Sequence, residues 1–286
     1  MEIPRLNGVI RAFEEGKHAF TTFAQPNPDG AAGLATSKYD GIVFEMEHGI
    51  WDARSLKDSL QYMLNRRQIA ETGSIAPRVT PIVRIPPNGA EKNQFFAKQA
   101  LDMGVYGIVW PHVDTVDQAY NAVGACRYPR LKDKPLYEPA GLRGDAPGTA
   151  ARFWGLTQQE YYTKADVWPL NPQGEVLCIL MIESTQAIEN LPDMLKSVPG
   201  IGVVLIGEGD LSQELGFPRQ YEHPIVADAK KQVVSICKQF DVPVGHPHVE
   251  PNNIDAVFAD GYRFLMAGSS TNYAALEKGL QLAGRA

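Results

Sequence analysis

The sequence predicts a single (β/α)8 barrel, because short apolar runs alternate with longer segments of helical periodicity about eight times along one chain. Several runs, among them VLCILMI (176–182) and GVVLIG (202–207), are apolar throughout, as strands buried on both faces are. The strand candidates are 18–23, 41–47, 81–85, 106–113, 176–183, 202–207, 242–248 and 262–267. Helical periodicity fills 53–71, 91–103, 115–125, 187–197, 224–240, 253–259 and 273–283. A doubly wound open sheet is the rival, but the phosphate fingerprint G-x-G-x-x-G is missing after the first strand. The whole chain, 1–286, is therefore expected to form one domain. Segment 132–174 breaks the rhythm, and a loop of that length between the fourth and fifth strands is expected to lie over the barrel mouth.

Composition narrows the function classes. The chain is 44% hydrophobic and 21% charged with a formal net charge of −6, and its Lys and Arg residues are scattered. That pattern lacks the basic face nucleic acid requires and weighs against an anionic membrane surface. No run approaches the roughly 20 apolar residues of a membrane span. The first twenty residues read as an amphipathic helix and not a signal peptide, so a cytoplasmic location is expected. Cys126, Cys178 and Cys237 are widely spaced and odd in number, which fits a reducing compartment and neither a disulfide framework nor a thiolate zinc site.

Barrel chemistry sits at the C-terminal ends of the strands, and there the apolar runs turn polar. The second ends in Glu45, Glu47 and His48, the third in Arg84, and the fourth in His112 and Asp114. The fifth ends in Glu183, the sixth in Gly207, Glu208, Gly209 and Asp210, the seventh in His246 and His248, and the eighth in Gly268, Ser269 and Ser270. Glu183 and Asp210 close neighbouring strands, where two carboxylates can share a hard cation such as Mg²⁺ or Mn²⁺. The same residues could simply cap the helices that follow. Gly207 and Gly209 allow close backbone approach, and the N–H groups beyond them suit a carboxylate or phosphate. Arg84 is either a structural ion pair or a planar fork for an oxyanion. An imidazole among carboxylates, as at His48, is how a base is tuned to neutral pH. His246 and His248 with His112 invite a zinc reading, which Pro247 and the lack of thiolates weaken. Asp145 within RGD is a chance match. Phe153, Trp154, Tyr161 and Tyr162 are expected either to shield the site from water or to form a contact between copies.

These residues, taken in order, resemble the HpcH/HpaI aldolase/citrate lyase family in its metal-dependent 2-oxo acid aldolase branch. The likeness runs through FEMEHG, VRIPP, ALDMGVYGIVWPHVDTVDQA, GLRG, MIES and GEGDLSQELGFP, nearly the whole chain. The resemblance implies a barrel of the phosphoenolpyruvate/pyruvate-binding type whose C-terminal helix packs on a neighbouring subunit, in a homo-oligomer built as a trimer of dimers. It implies that Glu183 and Asp210 bind Mg²⁺, Mn²⁺ or Co²⁺, and that the ion holds a 2-oxo acid. By the same likeness, backbone N–H groups at Gly209 and Asp210 grip the substrate carboxylate and Arg84 its enolate oxygen. His48 drives proton transfer, paired with the aspartate matching Asp102. No strand-end lysine offers the imine alternative.

Departures mark where substrate choice can differ. Glu45 stands where the family has aspartate three residues before the histidine, and Met181 stands at a substrate-facing position that often holds glutamine. Glu208-Gly209 replaces Pro-Ala before the metal aspartate, which is expected to bring a further carboxylate near the ion. The implied activity is a class II carbon–carbon lyase, an aldehyde-lyase that cleaves or forms 4-hydroxy-2-oxo acids through a pyruvate enolate. The alternatives are an oxaloacetate decarboxylase or carbon-joining enzyme of the macrophomate synthase kind, and a non-catalytic 2-oxo acid-binding paralogue.

Overall fold

A computed structural model of the chain describes residues 3–268 and 272–285. Its strands are β1 (Ala19–Thr21), β2 (Phe23–Ala24), β3 (Gly41–Glu45), β4 (Thr80–Arg84), β5 (Gly107–Trp110), β6 (Val167–Trp168), β7 (Val176–Ile182), β8 (Val203–Ile206), β9 (Val244–Val249) and β10 (Phe264–Ala267). All pair in parallel, in the order β1-β10-β9-β8-β7-β5-β4-β3-β2, with β6 beside the start of β7. β1 and β2 are halves of one stretch interrupted at Thr22. One half pairs with β10 and the other with β3, and this closes the barrel at eight strand positions.

The helices are α1 (Gly8–Glu14), α2 (Pro28–Leu34), α3 (Ala53–Tyr62), α4 (Arg66–Thr72), α5 (Gln94–Met103), α6 (Val116–Ala125), α7 (Gly148–Trp154), α8 (Gln158–Lys164), α9 (Thr185–Ser197), α10 (Glu208–Glu214), α11 (Pro224–Gln239), α12 (Ile254–Asp260) and α13 (Ala274–Leu282). No helix among the described residues is long and apolar enough to cross a membrane. Alternate side chains of each strand point inward, so Val43, Ile82, Val109, Leu177, Ile179, Met181, Val203, Leu205, Phe264 and Met266 fill the barrel. The residues between them face the helices and join a second, outer core. Val9, Ile10 and Phe13 of α1 extend the inner core, and α1 plugs the N-terminal end of the barrel. There the Gly8 N–H donates to Thr80 Oγ1 at 2.7 Å, and the Asn7 amide donates to the Tyr106 and Glu175 carbonyls.

Two expectations change. The periodic stretch 53–71 is two helices, because the Asn65 side chain accepts the Gln68 N–H and starts a new helix. Segment 132–174 does not cover the mouth. It folds into α7, α8 and β6 and packs around the opposite end. Trp154 stacks on Tyr106 before β5 with centroids 4.2 Å apart, Phe153 lies against Gly104, and Trp168 stacks on Phe13 of α1. These aromatics shield the N-terminal end of the barrel, because the segment follows α6 and must return to the start of β7. The C-terminal helix α13 buries Ala275, Leu276, Gly279 and Leu280 on its own barrel, with Gly279 set tightly against Phe20 and Ile254. Ser269 and Ser270 lie outside the described residues.

Arg127 anchors segment 132–174 from a fully buried position. Its guanidinium holds Asp166 at 2.7 and 3.2 Å and donates to the Leu136 and Pro139 carbonyls at 2.6 Å each. Burial alone would raise the Asp166 pKa, but Arg127 and Arg130 outweigh it and hold this carboxyl below its usual range. Replacing Arg127 by methionine strands these buried acceptors, so Arg127→Met is expected to lower the unfolding free energy by about 3–5 kcal/mol in urea titrations. A loss under about 1 kcal/mol would show that the segment is held by its aromatic packing instead.

Candidate active site

The β3–β4 register sets Glu45 beside Arg84, and it aims both side chains into the mouth on the same inward alternation as Val43 and Ile82. Arg84 donates from Nε to one Glu45 oxygen at 2.6 Å, and its Nη2 lies 2.5 Å from the same oxygen as an ion pair. Its plane stacks on the Phe23 ring at 4.6 Å, and Nη1 lies 3.7 Å from Met181 Sδ. The second Glu45 oxygen accepts the N–H groups of Glu47 and His48 at 2.9 and 3.1 Å, which turns the chain after β3. Glu47 Oε2 then sits 2.9 Å from Arg84 Nη1 and 3.4 Å from His48 Nε2. It is buried without a properly directed hydrogen bond, so its contact with Arg84 is one of charge. Burial raises the Glu47 pKa against the pull of Arg84. The sequence flagged Glu47 only as a member of its cluster. The His48 ring stays largely in solvent.

Across the mouth, His112, Glu183 and Asp210 each offer a donor atom, all within 4.8 Å of one another. The His112 backbone sits at φ +46°, a left-handed conformation uncommon outside glycine, and its N–H donates to Glu183 Oε2 at 2.6 Å. Glu183 is 3% exposed. Burial, reinforced by Glu47 and Asp210 and opposed by His112, raises its pKa to about 7. Neither carboxylate is spent as a helix cap. Ser184 caps α9 through its hydroxyl, and Gly207 occupies the cap position of α10, with Asp210 the third residue inside. A Cβ on Gly207 would fall 2.2 Å from Glu183 Oε1 and 2.4 Å from its Cγ, so the carboxylate lies where a side chain would be. The N–H groups of Gly209 and Asp210 open α10, where no helical acceptor exists, and the space beside Gly209 is free.

This donor set fits a divalent cation. Two carboxylates and an imidazole converge, one carboxylate is buried with no lysine or arginine paired to it among the described residues, and a cleared glycine gives it room. Arg84 stands beside the set, joined through the inward-facing Met181.

Other expected members lie elsewhere. Asp102 ends α5, where Arg143 Nη2 holds it at 2.9 Å, so within the chain its partner is Arg143 and not His48. Burial raises the Asp102 pKa against that ion pair. Met181 is 2% exposed and contacts Arg84 through sulfur, so it offers substrate no amide. His246 and His248 alternate with the inward Gly245 and face the helical layer, which rules out a zinc set with His112. Glu208 faces the same layer, bonded to Lys230 and His248, and is not an additional carboxylate at the donor set. Asp114 bridges to the Ser184 hydroxyl at 2.5 Å and ties two strand-end loops together.

Comparison with known proteins agrees with this geometry. The family model described as HpcH/HpaI aldolase/citrate lyase matches residues 22–275. A 2-keto-3-deoxy-L-rhamnonate aldolase of Klebsiella pneumoniae is 32% identical over 239 residues, covering 83% of this chain and 77% of its own. A 2-dehydro-3,6-dideoxy-6-sulfogluconate aldolase of Pseudomonas putida is 30% identical over 239 residues, covering 84% and 81%. An HpcH/HpaI family protein of Burkholderia cenocepacia superposes with a TM-score of 0.75 at 24% identity over 96% of this chain and 98% of its own. Macrophomate synthase superposes at 0.68 with 23% identity, covering 97% and 88%. The citrate lyase β subunit of Mycobacterium tuberculosis, solved with oxaloacetate and magnesium, superposes at 0.56 with 11% identity, covering 92% and 96%. A parallel barrel with carboxylates gathered at its strand ends, matched over most of its length by one family model, places this chain in the HpcH/HpaI aldolase/citrate lyase family.

Proposed function

We propose that the chain is a class II, divalent-metal-dependent aldolase that cleaves or forms 4-hydroxy-2-oxo acids through a pyruvate enolate. The observation that carries this reading is the convergence of His112, Glu183 and Asp210 beside a clamped Arg84. Glu183 and Asp210 would hold Mg²⁺, Mn²⁺ or Co²⁺, and His112 adds a nitrogen donor, which favours Mn²⁺ or Co²⁺ over Mg²⁺. When bound, the ion supplies Lewis-acid charge at the keto oxygen of the substrate.

The chain's own groups supply the rest. The free N–H groups of Gly209 and Asp210 receive the substrate carboxylate. Arg84 is fixed by Glu45 on one edge and Phe23 below, so its positive charge meets the developing enolate oxygen without rearranging. In the cleavage direction His48 takes the proton of the C4 hydroxyl, the C3–C4 bond breaks, and its electrons enter the enolate. The aldehyde leaves, and the protonated His48 delivers that proton to C3 to give pyruvate, the transfer whose reverse exchanges the methyl protons. Glu47, 3.4 Å from the His48 ring, is the carboxylate that supports a protonated imidazole within the chain. Met181 leaves the wall beside Arg84 apolar, which suits an aldehyde with a less polar segment there than an amide would select. The reading includes a homo-oligomer, a trimer of dimers. Ile50, 88% exposed two residues beyond His48, is apolar surface such an assembly would cover.

Exchange of pyruvate methyl protons in deuterium oxide, followed by NMR, tests the enolate step. Exchange is expected with Mn²⁺ or Mg²⁺, is lost in Glu183→Gln, and falls about 10²-fold or more in His48→Ala. Arg84→Lys keeps charge but not the fork, and is expected to slow it by about 10²–10³-fold. Exchange that survives complete chelation would sink the metal reading. Pyruvate binding without any exchange would identify a non-catalytic paralogue, and metal-dependent carbon dioxide release from oxaloacetate without aldehyde cleavage would favour the decarboxylase. A second prediction concerns Gly207→Ala, which pushes the Glu183 carboxylate aside. Manganese affinity is expected to fall about 10–100-fold by calorimetric titration while the urea midpoint moves little. Unchanged affinity would mean that Glu183 does not bind the ion from its observed position.

A further inference from the structure

Behind the α10 turn lies a buried charge network outside the catalytic mouth. Glu208, the first residue of α10, is 1% exposed. Lys230 of α11 donates to one of its oxygens at 2.8 Å, and His248 Nδ1 of β9 lies 2.7 Å from the other. His246 Nδ1 accepts the His248 N–H at 3.2 Å, so a neutral His246 carries its proton on Nε2, the nitrogen 4.0 Å from Glu208. Burial draws the His246 pKa down to about 4, which keeps it neutral. His248 in turn stacks on Tyr221. A carboxylate with donors on both oxygens, drawn from two different elements, is fixed in direction.

That direction matters because the next two residues are Gly209 and Asp210. Gly207 and Gly209 flank Glu208, so although the Gly207 N–H donates to the Ile182 carbonyl and the Gly209 carbonyl accepts from the Ser212 hydroxyl, no side chain restricts the backbone on either side of Glu208. We propose that Glu208 is a positioning residue: clamped by Lys230 and His248, it holds the Gly209–Asp210 segment so that the Asp210 carboxylate and both N–H groups face the metal and the 2-oxo acid. The inference rests on the metal reading of His112, Glu183 and Asp210. It assigns Lys230 and His248, which lie on the outer face of the barrel, a part in the affinity of the mouth.

Manganese titration of the full-length protein by electron paramagnetic resonance, with and without pyruvate, tests it. Glu208→Gln and Lys230→Met are each expected to weaken manganese binding about tenfold or more and to raise the pyruvate concentration needed for saturation. Lys230→Arg, which keeps the ion pair, should titrate like the parent. The decisive variant is Glu208→Pro combined with Lys230→Met, because proline at the first helical position fixes the backbone through its ring and needs no clamp. It is expected to recover most of the lost manganese affinity, whatever its melting temperature, and a purely structural role would not produce that recovery. Parent-like titration of Glu208→Gln and Lys230→Met, or no recovery in the double variant, overturns the proposal. A Glu183→Gln control separates the two levels. If it loses manganese while the Glu208 and Lys230 variants do not, positioning alone fails. If it binds like the parent, the metal reading fails and positioning falls with it.

Discussion

The site depends on one close approach between neighbouring strands. The β7–β8 register sets Ile182 beside Ile206, and the next pair along is Glu183 and Gly207. The Glu183 side chain then occupies the volume a Cβ on 207 would need. Burying a carboxylate there is costly, and its pKa of about 7 records the cost. One compensating contact comes from β5, whose continuation must twist into a left-handed conformation at His112 to deliver its N–H. Three consecutive barrel positions are thus adjusted around one carboxylate, and the imidazole of His112 arrives beside it as a consequence of that backbone turn.

The alternation that packs the barrel also sorts the polar groups. Residues in phase with Val43, Ile82 and Met181 reach the mouth as Glu45, Arg84 and Glu183. Residues out of phase face the helices, and this sends His246, His248 and Glu208 to a separate network. A shift of one residue in either set would exchange their roles. The histidines near the end of β9 and the glutamate beside Asp210 therefore belong to the outer layer, although they are adjacent in sequence to residues of the mouth.

Much of this was legible in the sequence, because two-sided burial leaves continuous apolar runs and the residues that end them must be the strand ends. Glu45, His48, Arg84, Glu183 and Asp210 could be named on that ground alone. Orientation about the strand axis at β9 was harder to read, since Gly245 and Pro247 leave the alternation without apolar markers. The path of 132–174 was not legible, because its direction follows from where α6 ends and not from any local pattern. The break at Asn65 and the significance of Gly207 depend on a side-chain cap and a strand register, neither of which periodicity reports. Asp102 was carried by resemblance, and its ion pair with Arg143 across 41 positions of chain has no local signature.

Charge balance finally constrains what the mouth can accept. Glu45, Glu47, Glu183 and Asp210 bring four carboxyl groups to it, and among the described residues Arg84 is the one guanidinium in contact with them, already engaged by Glu45 and Glu47. A 2-oxo acid is itself an anion, and a surface of that sign would repel it. Arg84 cannot reverse the balance, because its forked donors are largely committed to holding its own plane. On the function proposed, a cation held by Glu183 and Asp210, with His112 beside them, would offset that repulsion. In that proposal metal and substrate would bind as one unit, and Arg84 would meet the charge that develops as the bond breaks.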